Sequence, residues 1–180
     1  MKKKAIVETV VIIAVSALLL FGVPRFLMER VIVDGPSMEN ALQDGDNILV
    51  EKVSRYFGNL DRFDIVVFYP DEQAKAKNGR YYVKRIIGLP GETVRIEGNV
   101  IFINDKPLDE SFGSTQMGHA GLAREPVTLG EDEYFVLGDN RAISKDSRSE
   151  TVGIVPLSRM GGKLILRIFP FSKFGTVNEK

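Results

Sequence analysis

The chain has 180 residues, which suits one modest domain with a small appendage. Lysine plus arginine balance aspartate plus glutamate at 24 each, so no bulk charge indicates a nucleic acid partner or an acidic substrate. Cysteine is absent and His119 is the single histidine, which excludes a thiol nucleophile, disulfides, and zinc sites built on cysteines or on two histidines. We expect neither a metal nor another cofactor.

The amino end is the most apolar part of the chain. Lys2–Lys4 precede residues 5–23, whose one charged side chain is Glu8 and which include twelve Ile, Val, Leu or Phe residues. As a helix this segment would be about 28 Å long, close to a hydrocarbon core of about 30 Å. Its summed insertion free energy of about −5 kcal/mol outweighs the cost of one acid near the end. The pattern predicts a single transmembrane helix.

A cleaved signal peptide is the alternative account of the same segment. A cleavage site of the Ala-x-Ala kind should then follow, but large residues occupy 23–27. We therefore favour an uncleaved anchor within residues 1–25, with residues 26–180 forming an extracytoplasmic domain. The lysines before the span place the amino end in the cytoplasm.

Short strands separated by Gly/Pro turns follow the anchor. Extended runs are predicted at 31–33, 47–53, 62–70, 80–88, 92–96, 100–103, 134–137, 152–155 and 162–169. Residues 111–126 are rich in weak formers and are predicted to be a mobile loop, part of a small hairpin and loop insertion near 95–130. The fold class is therefore mainly β, with a single transmembrane helix followed by an all-β ectodomain of antiparallel sheets. Phe169, Phe171 and Phe174 are expected to pack in the core, with contact to a membrane surface as the alternative.

Lys84 lies in a segment, residues 80–91, that the sequence predicts to be a strand entering a tight turn. Because side chains alternate along a strand, Lys84 shares a face with Tyr82 and Ile86, while Arg85 points the other way. Large apolar neighbours desolvate an amine and lower its pKa. An edge-strand or snorkelling lysine would show the same pattern, so this segment alone assigns no function.

Three nucleophile schemes are compatible with the composition. A Ser-His-Asp triad would need His119, which lies in a Gly-rich loop without a strand to orient it. An aspartic dyad of Asp139 and Asp146 is disfavoured because Arg141 and Arg148, close in sequence, would keep both acids ionised. The third scheme is a Ser-Lys pair.

Ser37 and Lys84 are the candidates for such a pair. Pro36 fixes the turn before Ser37, and Gly35 lets an oxyanion or another chain approach the main chain closely. The competing role for Ser37 is the N-cap of a following helical turn, for which Asn40 is a poor capping-box partner. Lowering a lysine pKa from about 10.4 to near 7 costs about 4 to 5 kcal/mol, which burial can supply.

Three segments that lie far apart in sequence together resemble the bacterial type I signal peptidases in order and approximate spacing. They are Gly35–Met38, Tyr81–Gly91 and Gly138–Arg148. The resemblance extends to Gly45-Asp46, to Arg62–Phe68 and to the apolar amino end, so it covers nearly the whole chain. The eleven residues of the Gly138–Arg148 segment are the most specific part.

The resemblance implies a role for each matching residue. Ser37 is expected to be the nucleophile that forms an acyl-enzyme, and Lys84 the general base. Ser144 stands where the family has a serine that orients the lysine through a hydrogen bond. The positions that hold the architecture of the site are Arg85, Asp139, Arg141, Asp146 and Arg148. The positions that bind substrate are Val33, Gly35, Met38, Leu42, Tyr82 and Val83.

The resemblance also implies an extended substrate with small residues at −1 and −3, lying beside Val31–Val33 and the lysine strand. Two positions depart from the family pattern. Gly35 stands where some relatives have a Ser or Thr that binds the oxyanion, and Asn40-Ala41 replaces the usual Pro-Thr. The oxyanion hole is then expected to use main-chain N–H groups, chiefly that of Ser37.

On these grounds the sequence predicts a serine endopeptidase, anchored in the bacterial cell membrane, that removes signal peptides on its outer side. The expected partners are preproteins and the lipid bilayer, without nucleic acid. Two rival interpretations are a self-cleaving Ser-Lys regulator of the repressor type and an anchored β-domain that binds exported chains without cutting them.

Overall fold

Eleven short strands form the framework of the described chain after residue 27. The computed structural model describes residues 2–22, 26–39, 41–58, 60–76 and 80–177. The strands are β1 (Met28–Ile32), β2 (Asn47–Glu51), β3 (Ile65–Phe68), β4 (Tyr82–Gly88), β5 (Thr93–Glu97), β6 (Val100–Ile103), β7 (Lys106–Pro107), β8 (Val127–Thr128), β9 (Glu133–Leu137), β10 (Val155–Pro156) and β11 (Met160–Phe169). The α-helices are α1 (Lys2–Ala17), α2 (Ser54–Phe57) and α3 (Glu72–Ala76). Short 3-10 helices cover Gly121–Arg124, Leu157–Arg159 and Phe171–Lys173.

Seven strands form the larger sheet, in the order β1-β2-β11-β3-β4-β9-β10, and all neighbouring pairs are antiparallel. All four residues of β3 are buried, as an apolar run covered on both faces requires. In β2 the buried residues Ile48 and Val50 alternate with half-buried neighbours. The prediction of a mainly β fold of antiparallel sheets is confirmed.

Two apolar clusters pack on opposite sides of β4. Val83 belongs to a cluster that also contains Val33, Met38 and Leu42. The next residues of the strand alternate as predicted, and Ile86 lies in a second cluster, against which Tyr82 packs. Lys84 therefore lies on the face of β4 that it shares with Tyr82 and Ile86, which is the face of the second cluster.

Two strand edges near Lys84 lack a partner strand among the residues that the structure describes. β1 is the edge strand of the larger sheet and pairs with β2 alone. β4 pairs with β3 from Tyr82 to Arg85, but β9 joins its other side at Arg85 and beyond. Within the described residues, the first half of β4 and the outer edge of β1 are thus open to an added strand.

The smaller sheet has the order β7-β6-β5-β8 and covers the far end of β4. Gly88 permits this packing, because a Cβ there would lie 2.6 Å from Val94 and 2.8 Å from Leu129. The sheet occupies the region near 95–130 that the sequence suggests to be an insertion.

Residues 111–126, predicted to be a mobile loop, are bonded to the segment that contains the candidate site residues. Ser114 N donates to Asp139 O at 2.8 Å, and Leu122 N donates to Arg148 O at 2.9 Å. A Cβ at Gly121 would lie 2.1 Å from Arg148 O, so a larger residue there would separate the two segments.

The amino-terminal helix differs from the predicted span of residues 5–23. α1 ends at Ala17 and a π-helical turn, Leu18–Gly22, follows it directly. In the part of the chain that the structure describes, no helix has both the length and the apolar character needed to cross a membrane. Residues 23–25 lie outside the described residues, and the anchor stays a prediction.

Other differences are local. The strand predicted at 152–155 is reduced to β10, and α2 and α3 have four and five residues, too few for helical periodicity to reveal them. The core position predicted for the carboxy-terminal aromatics is wrong, since Phe169, Phe171 and Phe174 are 49%, 80% and 63% exposed.

Candidate active site

Ser37 lies in a tight turn between β1 and β2. Gly35 has a φ of +91°, a conformation that favours glycine, so a Ser or Thr at this position would be strained although space is open around it. Asn40, one of the departures from the family pattern, lies outside the described residues. The Ser37 hydroxyl accepts a hydrogen bond from a lysine instead of capping a helix.

Lys84 supplies that bond. Its Nζ donates to Ser37 Oγ at 2.7 Å and to Val83 O at 2.8 Å, and its side chain is buried. Burial lowers the pKa of Lys84 from 10.5 to about 8, against a smaller opposing effect of the Asp146 and Asp139 charges. Once the amine is neutral, the Ser37 hydroxyl can donate its proton to Nζ, which is the arrangement a general base needs.

Arg85 points to the opposite side of β4, as predicted. Its Nε and Nη2 donate to the two carboxylate oxygens of Asp139 at 2.9 and 2.7 Å, and its Nη1 donates to Phe63 O. The Phe112 ring lies 3.9 Å from the guanidinium carbon. Burial raises the pKa of Asp139, and the bonds from Arg85 counteract this. The pair joins β4 to the start of the Gly138–Arg148 segment.

Two further arginines of that segment are also paired with acids. Arg148 donates to both oxygens of Asp146 at 2.8 Å each. Arg141 donates to Glu110 at 2.8 Å. Burial raises the pKa of Glu110, but the hydrogen bond and the charge of Arg141 together outweigh this effect. The pKa of Glu110 therefore lies below its usual value. Because Asp139 and Asp146 each bind their own arginine on two oxygens, they do not form a dyad that shares a proton.

Ser144 is buried, as the lysine-orienting role requires, but within the described residues the expected hydrogen bond to Lys84 is not formed. Lys84 donates to Ser37 and Val83, and Ser144 Oγ has no hydrogen-bond partner within the described residues. A Cβ at Gly138 would lie 2.1 Å from Ser144 Oγ and 2.5 Å from Ser37 O. The absence of a side chain at Gly138 therefore allows the Ser144 loop to approach the nucleophile turn.

Asn140 is a residue of the site that sequence reasoning missed. Its main-chain N–H donates to Ser37 O at 3.1 Å, and its Nδ2 donates to Pro36 O at 3.3 Å. Thr115 Oγ1 donates to Asn140 Oδ1 at 3.0 Å, and Ser144 N donates to Asn140 O at 3.0 Å. Its partners lie up to 104 residues away, so no local pattern reveals them. Its position inside the Gly138–Arg148 segment is the one available signal.

His119 is exposed. Its main-chain oxygen accepts from Arg148 Nη1 at 3.3 Å, and it lies in the loop rather than on a strand. This placement does not support the triad scheme.

A groove of about 1170 Å³ leads to the dyad between the two open strand edges. Val33, Gly35, Tyr82 and Val83 are on its walls, as expected for substrate-binding positions. Met38 and Leu42 are fully buried in the cluster behind Val33 and do not line the groove, which corrects the expectation that they contact substrate directly. They set the shape of the wall from behind.

Comparison with known proteins assigns the chain to a family. The family model described as "Signal peptidase, peptidase S26" matches residues 6–169. Signal peptidase I of Bacillus licheniformis is 36% identical over 179 residues, covering 96% of this chain and 93% of that protein. Signal peptidase I S of Bacillus subtilis strain 168 is 34% identical over 185 residues, covering 98% and 96%. The crystal structure of a signal peptidase I from Enterococcus faecalis V583 is 34% identical, with a TM-score of 0.46 over 58% of this chain and 96% of that one.

The family match covers all three segments on which the sequence resemblance rests. Both relatives are aligned over nearly their whole length, so the likeness is not confined to one motif. The chain belongs to the signal peptidase family, peptidase S26, and is an enzyme of the signal peptidase I type.

Proposed function

We propose that Ser37 and Lys84 form the catalytic dyad with which this signal peptidase cleaves preproteins. The observation that best supports the proposal is the 2.7 Å hydrogen bond between Ser37 Oγ and the buried Lys84 Nζ. The bond lies at the end of a groove bordered by two open strand edges, where an extended chain can be held for attack.

The reaction follows from this arrangement. Neutral Lys84 Nζ takes the hydroxyl proton while Ser37 Oγ attacks the scissile carbonyl carbon, and the carbonyl oxygen becomes an oxyanion that the Ser37 N–H stabilises. Breakdown of the tetrahedral intermediate cleaves the C–N bond, and the Lys84 ammonium gives its proton to the leaving amine. Lys84, neutral again, takes a proton from water, which attacks the acyl ester; the proton then returns to Ser37 Oγ.

The substrate is proposed to bind as an added strand. β1 leads into the Ser37 turn and β4 carries Lys84, so both strands run toward the dyad and a parallel substrate strand can hydrogen-bond to either edge. Side chains at −1 and −3 then face the wall built on Val33 and Val83, where space suits small residues. In this mode Ser144 offers its unpaired hydroxyl to the Lys84 amine once Ser37 has been acylated.

Membrane anchoring by the amino-terminal segment is part of the proposal. Large apolar side chains of this helix are exposed, among them Ile6, Ile12 and Leu20 at 62%, 65% and 67%. Such surface is unfavourable in water and is stabilised in lipid. Extraction of cell membranes with carbonate tests it: the protein should stay in the membrane fraction, and release into the supernatant would contradict an anchor.

The dyad is tested by incubating detergent-solubilised protein with a preprotein that carries an Ala-x-Ala site. Ser37→Ala and Lys84→Ala should reduce cleavage by more than about a thousandfold, because each removes a group that the reaction requires. Ser111→Ala and Lys106→Ala change exposed residues outside the site and serve as matched controls. Cleavage by both dyad variants at the wild-type rate would refute the assignment.

The same assay separates the rival interpretations. Binding of the preprotein without cleavage by the wild type would favour a non-enzymatic binding domain. Cleavage of the chain itself in place of the preprotein would favour a self-cleaving regulator.

A further inference from the structure

The groove continues beyond the apolar walls that face −1 and −3, and its lining becomes polar. Val31 and the Tyr81 ring pack against the apolar cluster at the middle of the groove. Further along, the lining includes Glu29, Lys52 and Tyr69. The proposed reaction does not use these groups.

The polar side chains form a chain of hydrogen bonds that ends on one carboxylate oxygen. Tyr69 OH donates to Tyr81 OH at 3.1 Å, and Tyr81 OH donates to Glu29 Oε2 at 3.3 Å. Lys52 Nζ lies 2.9 Å from the same oxygen. The second oxygen, Oε1, has no partner within the described part of the chain, and the Glu29 side chain is 38% exposed. Glu29 thus offers the groove an unoccupied hydrogen-bond acceptor.

The donor to Glu29 is held firmly. The Tyr81 ring lies 4.6 Å from that of Tyr69, and a Cβ at Gly161 would come within 2.5 Å of it, so the ring fills the space that this glycine leaves. Burial raises the pKa of the Tyr81 hydroxyl, which therefore stays protonated and keeps donating to Glu29. The packing of the two rings therefore fixes the position of the Tyr81 hydroxyl at the polar end of the groove.

The position of Glu29 along β1 sets which substrate residue it meets. Val33, Val31 and Glu29 alternate along the strand and share a face, and Glu29 precedes Val33 by four residues, or about 13 Å. A parallel substrate that places −1 beside Val33 and −3 beside Val31 brings −5 to Glu29. The side chain at −5 points to the same wall as those at −1 and −3.

The surrounding charges restrict the kind of side chain that fits. Lys52 already balances the Glu29 charge, and Arg30 and Arg55 also line the groove. A lysine or arginine of the substrate would meet this excess of positive charge, while a leucine would leave the Glu29 acceptor desolvated and unpaired. A neutral donor avoids both costs.

We propose that Glu29, Tyr81 and Tyr69 form a polar subsite that binds residue −5 of the substrate and prefers a neutral hydrogen-bond donor, namely Ser, Thr, Asn or Gln. The subsite deepens the proposed function and rests on it, since the register is counted from the Ser37–Lys84 dyad.

A substrate series with the unaltered full-length protein in detergent tests the proposal. The peptides share one Ala-x-Ala site and differ at −5, which is Ser, Gln, Ala, Leu or Lys. We expect kcat/KM for Ser and Gln to exceed that for Leu about fivefold to tenfold, with Lys the poorest, as a hydrogen bond to the unoccupied Oε1 of Glu29 implies. Equal values across the series would overturn the subsite. Failure to cleave any member would instead refute the proposed function.

Two variants test whether Glu29 and Tyr81 cause the preference at −5. Glu29→Gln removes the charged acceptor and Tyr81→Phe removes the bonded hydroxyl, so both should bring the Ser-to-Leu ratio of kcat/KM close to one. Glu97→Gln, an exposed glutamate of the β5-β6 hairpin, is the matched control and should keep the wild-type ratio. A wild-type ratio in both groove variants would place the preference elsewhere. Should either variant fail to fold, the substrate series still decides.

Discussion

Lys84 is a buried amine whose two hydrogen-bond partners are both uncharged, the Ser37 hydroxyl and the Val83 carbonyl. The nearest acids do little to stabilise its charge, because Asp139 and Asp146 are each bound by an arginine on both oxygens. The two arginine–aspartate pairs therefore hold the loop and also weaken the effect of both acids on the pKa of Lys84. They leave desolvation as the dominant effect on Lys84, and its pKa settles at about 8.

The first prediction concerns the pH dependence of cleavage. A general base accepts a proton only when neutral, so kcat/KM should rise with pH and level off above an apparent pKa of about 8. Between pH 8 and pH 6 the neutral fraction of Lys84, and with it the rate, falls about fiftyfold. A pH–rate profile on a soluble peptide substrate measures this. A profile that keeps rising to about pH 10.5, as for an unperturbed lysine, would contradict it.

The second prediction is that the buried Lys84 amine lowers the free energy of unfolding. The pKa of Lys84 is lowered on folding, so below pH 8 the folded protein carries a buried ammonium that the unfolded chain holds in water. Lys84→Met removes this cost while keeping the shape, and should raise the free energy of unfolding at pH 7 by about 1 to 3 kcal/mol. Urea unfolding measures the difference.

The pH dependence provides the control for this second prediction. Between the folded pKa of about 8 and the unfolded value of about 10.4, the unfolded wild type binds more protons, so its stability rises with pH. The advantage of Lys84→Met should therefore shrink as pH approaches 10. A variant that is less stable than the wild type at pH 7 would show that the lysine contributes to stability.

At the scale of elements, the turn that carries Ser37, the proposed nucleophile, is held by a loop that follows β9. Asn140 donates to two consecutive carbonyls of the turn, those of Pro36 and Ser37, and Thr115 fixes its amide through the 3.0 Å bond to Oδ1. The 111–126 loop thus supports the nucleophile although it lies far from it in sequence. The contact of Asn140 controls the position of Ser37 and takes no part in proton transfer.

The third prediction follows from this support. Asn140→Asp replaces the Nδ2 donor by an acceptor that repels Pro36 O, and Thr115→Val removes the bond that orients the amide. We expect kcat to fall about tenfold to a hundredfold with Asn140→Asp and less with Thr115→Val, because a small displacement of the nucleophile is costly. KM should stay near wild type in both variants, and the apparent base pKa should stay near wild type with Thr115→Val but rise with Asn140→Asp, whose new charge stabilises the Lys84 ammonium. Kinetics on an Ala-x-Ala peptide measure all three quantities.

Gln116→Ala is the control for this third prediction, since Gln116 is exposed in the same loop. It should behave as wild type. A rise in KM with unchanged kcat in the Asn140 variant would mean that Asn140 binds substrate instead of positioning Ser37.

Elements with a local signal are predictable from the sequence, and those that depend on distant contacts are not. The run Ile65–Phe68 and the β5-β6 hairpin follow from β-branched residues and a Gly turn, and the alternation that separates Lys84 from Arg85 follows from strand geometry. The role of Asn140 and the burial of Met38 behind the wall arise from pairings across the fold. Short helices and the exposed carboxy-terminal aromatics also carry no periodic pattern.

At the scale of the whole molecule, the groove and an exposed apolar face both involve β1, the edge strand of the larger sheet. β1 begins six residues after the π-helical turn ends at Gly22, so the Met28 end of β1 is the end closer in sequence to the amino-terminal helix. Ile32 and Phe169 both pair with Asn47, so in the antiparallel sheet they share a face, and both are exposed. The Phe171 ring lies 5.7 Å from that of Phe169 and extends this face.

The fourth prediction is that this face contacts the bilayer and holds the groove beside membrane-embedded substrates. Phe171 and Phe174 are exposed by 80% and 63%, and burying such side chains in lipid stabilises docking by about 1 to 2 kcal/mol each. In vesicles that contain the full-length protein, replacing both by serine should lower kcat/KM about fivefold to tenfold for a preprotein inserted in the same membrane. Cleavage of a short soluble peptide should change less than about twofold, since neither side chain lines the groove.

Leu122→Ser, an exposed apolar residue in the 111–126 loop, is the control and should affect neither substrate. Equal losses on both substrates would show instead that the aromatics support the fold, because docking affects only the reaction that takes place at the membrane.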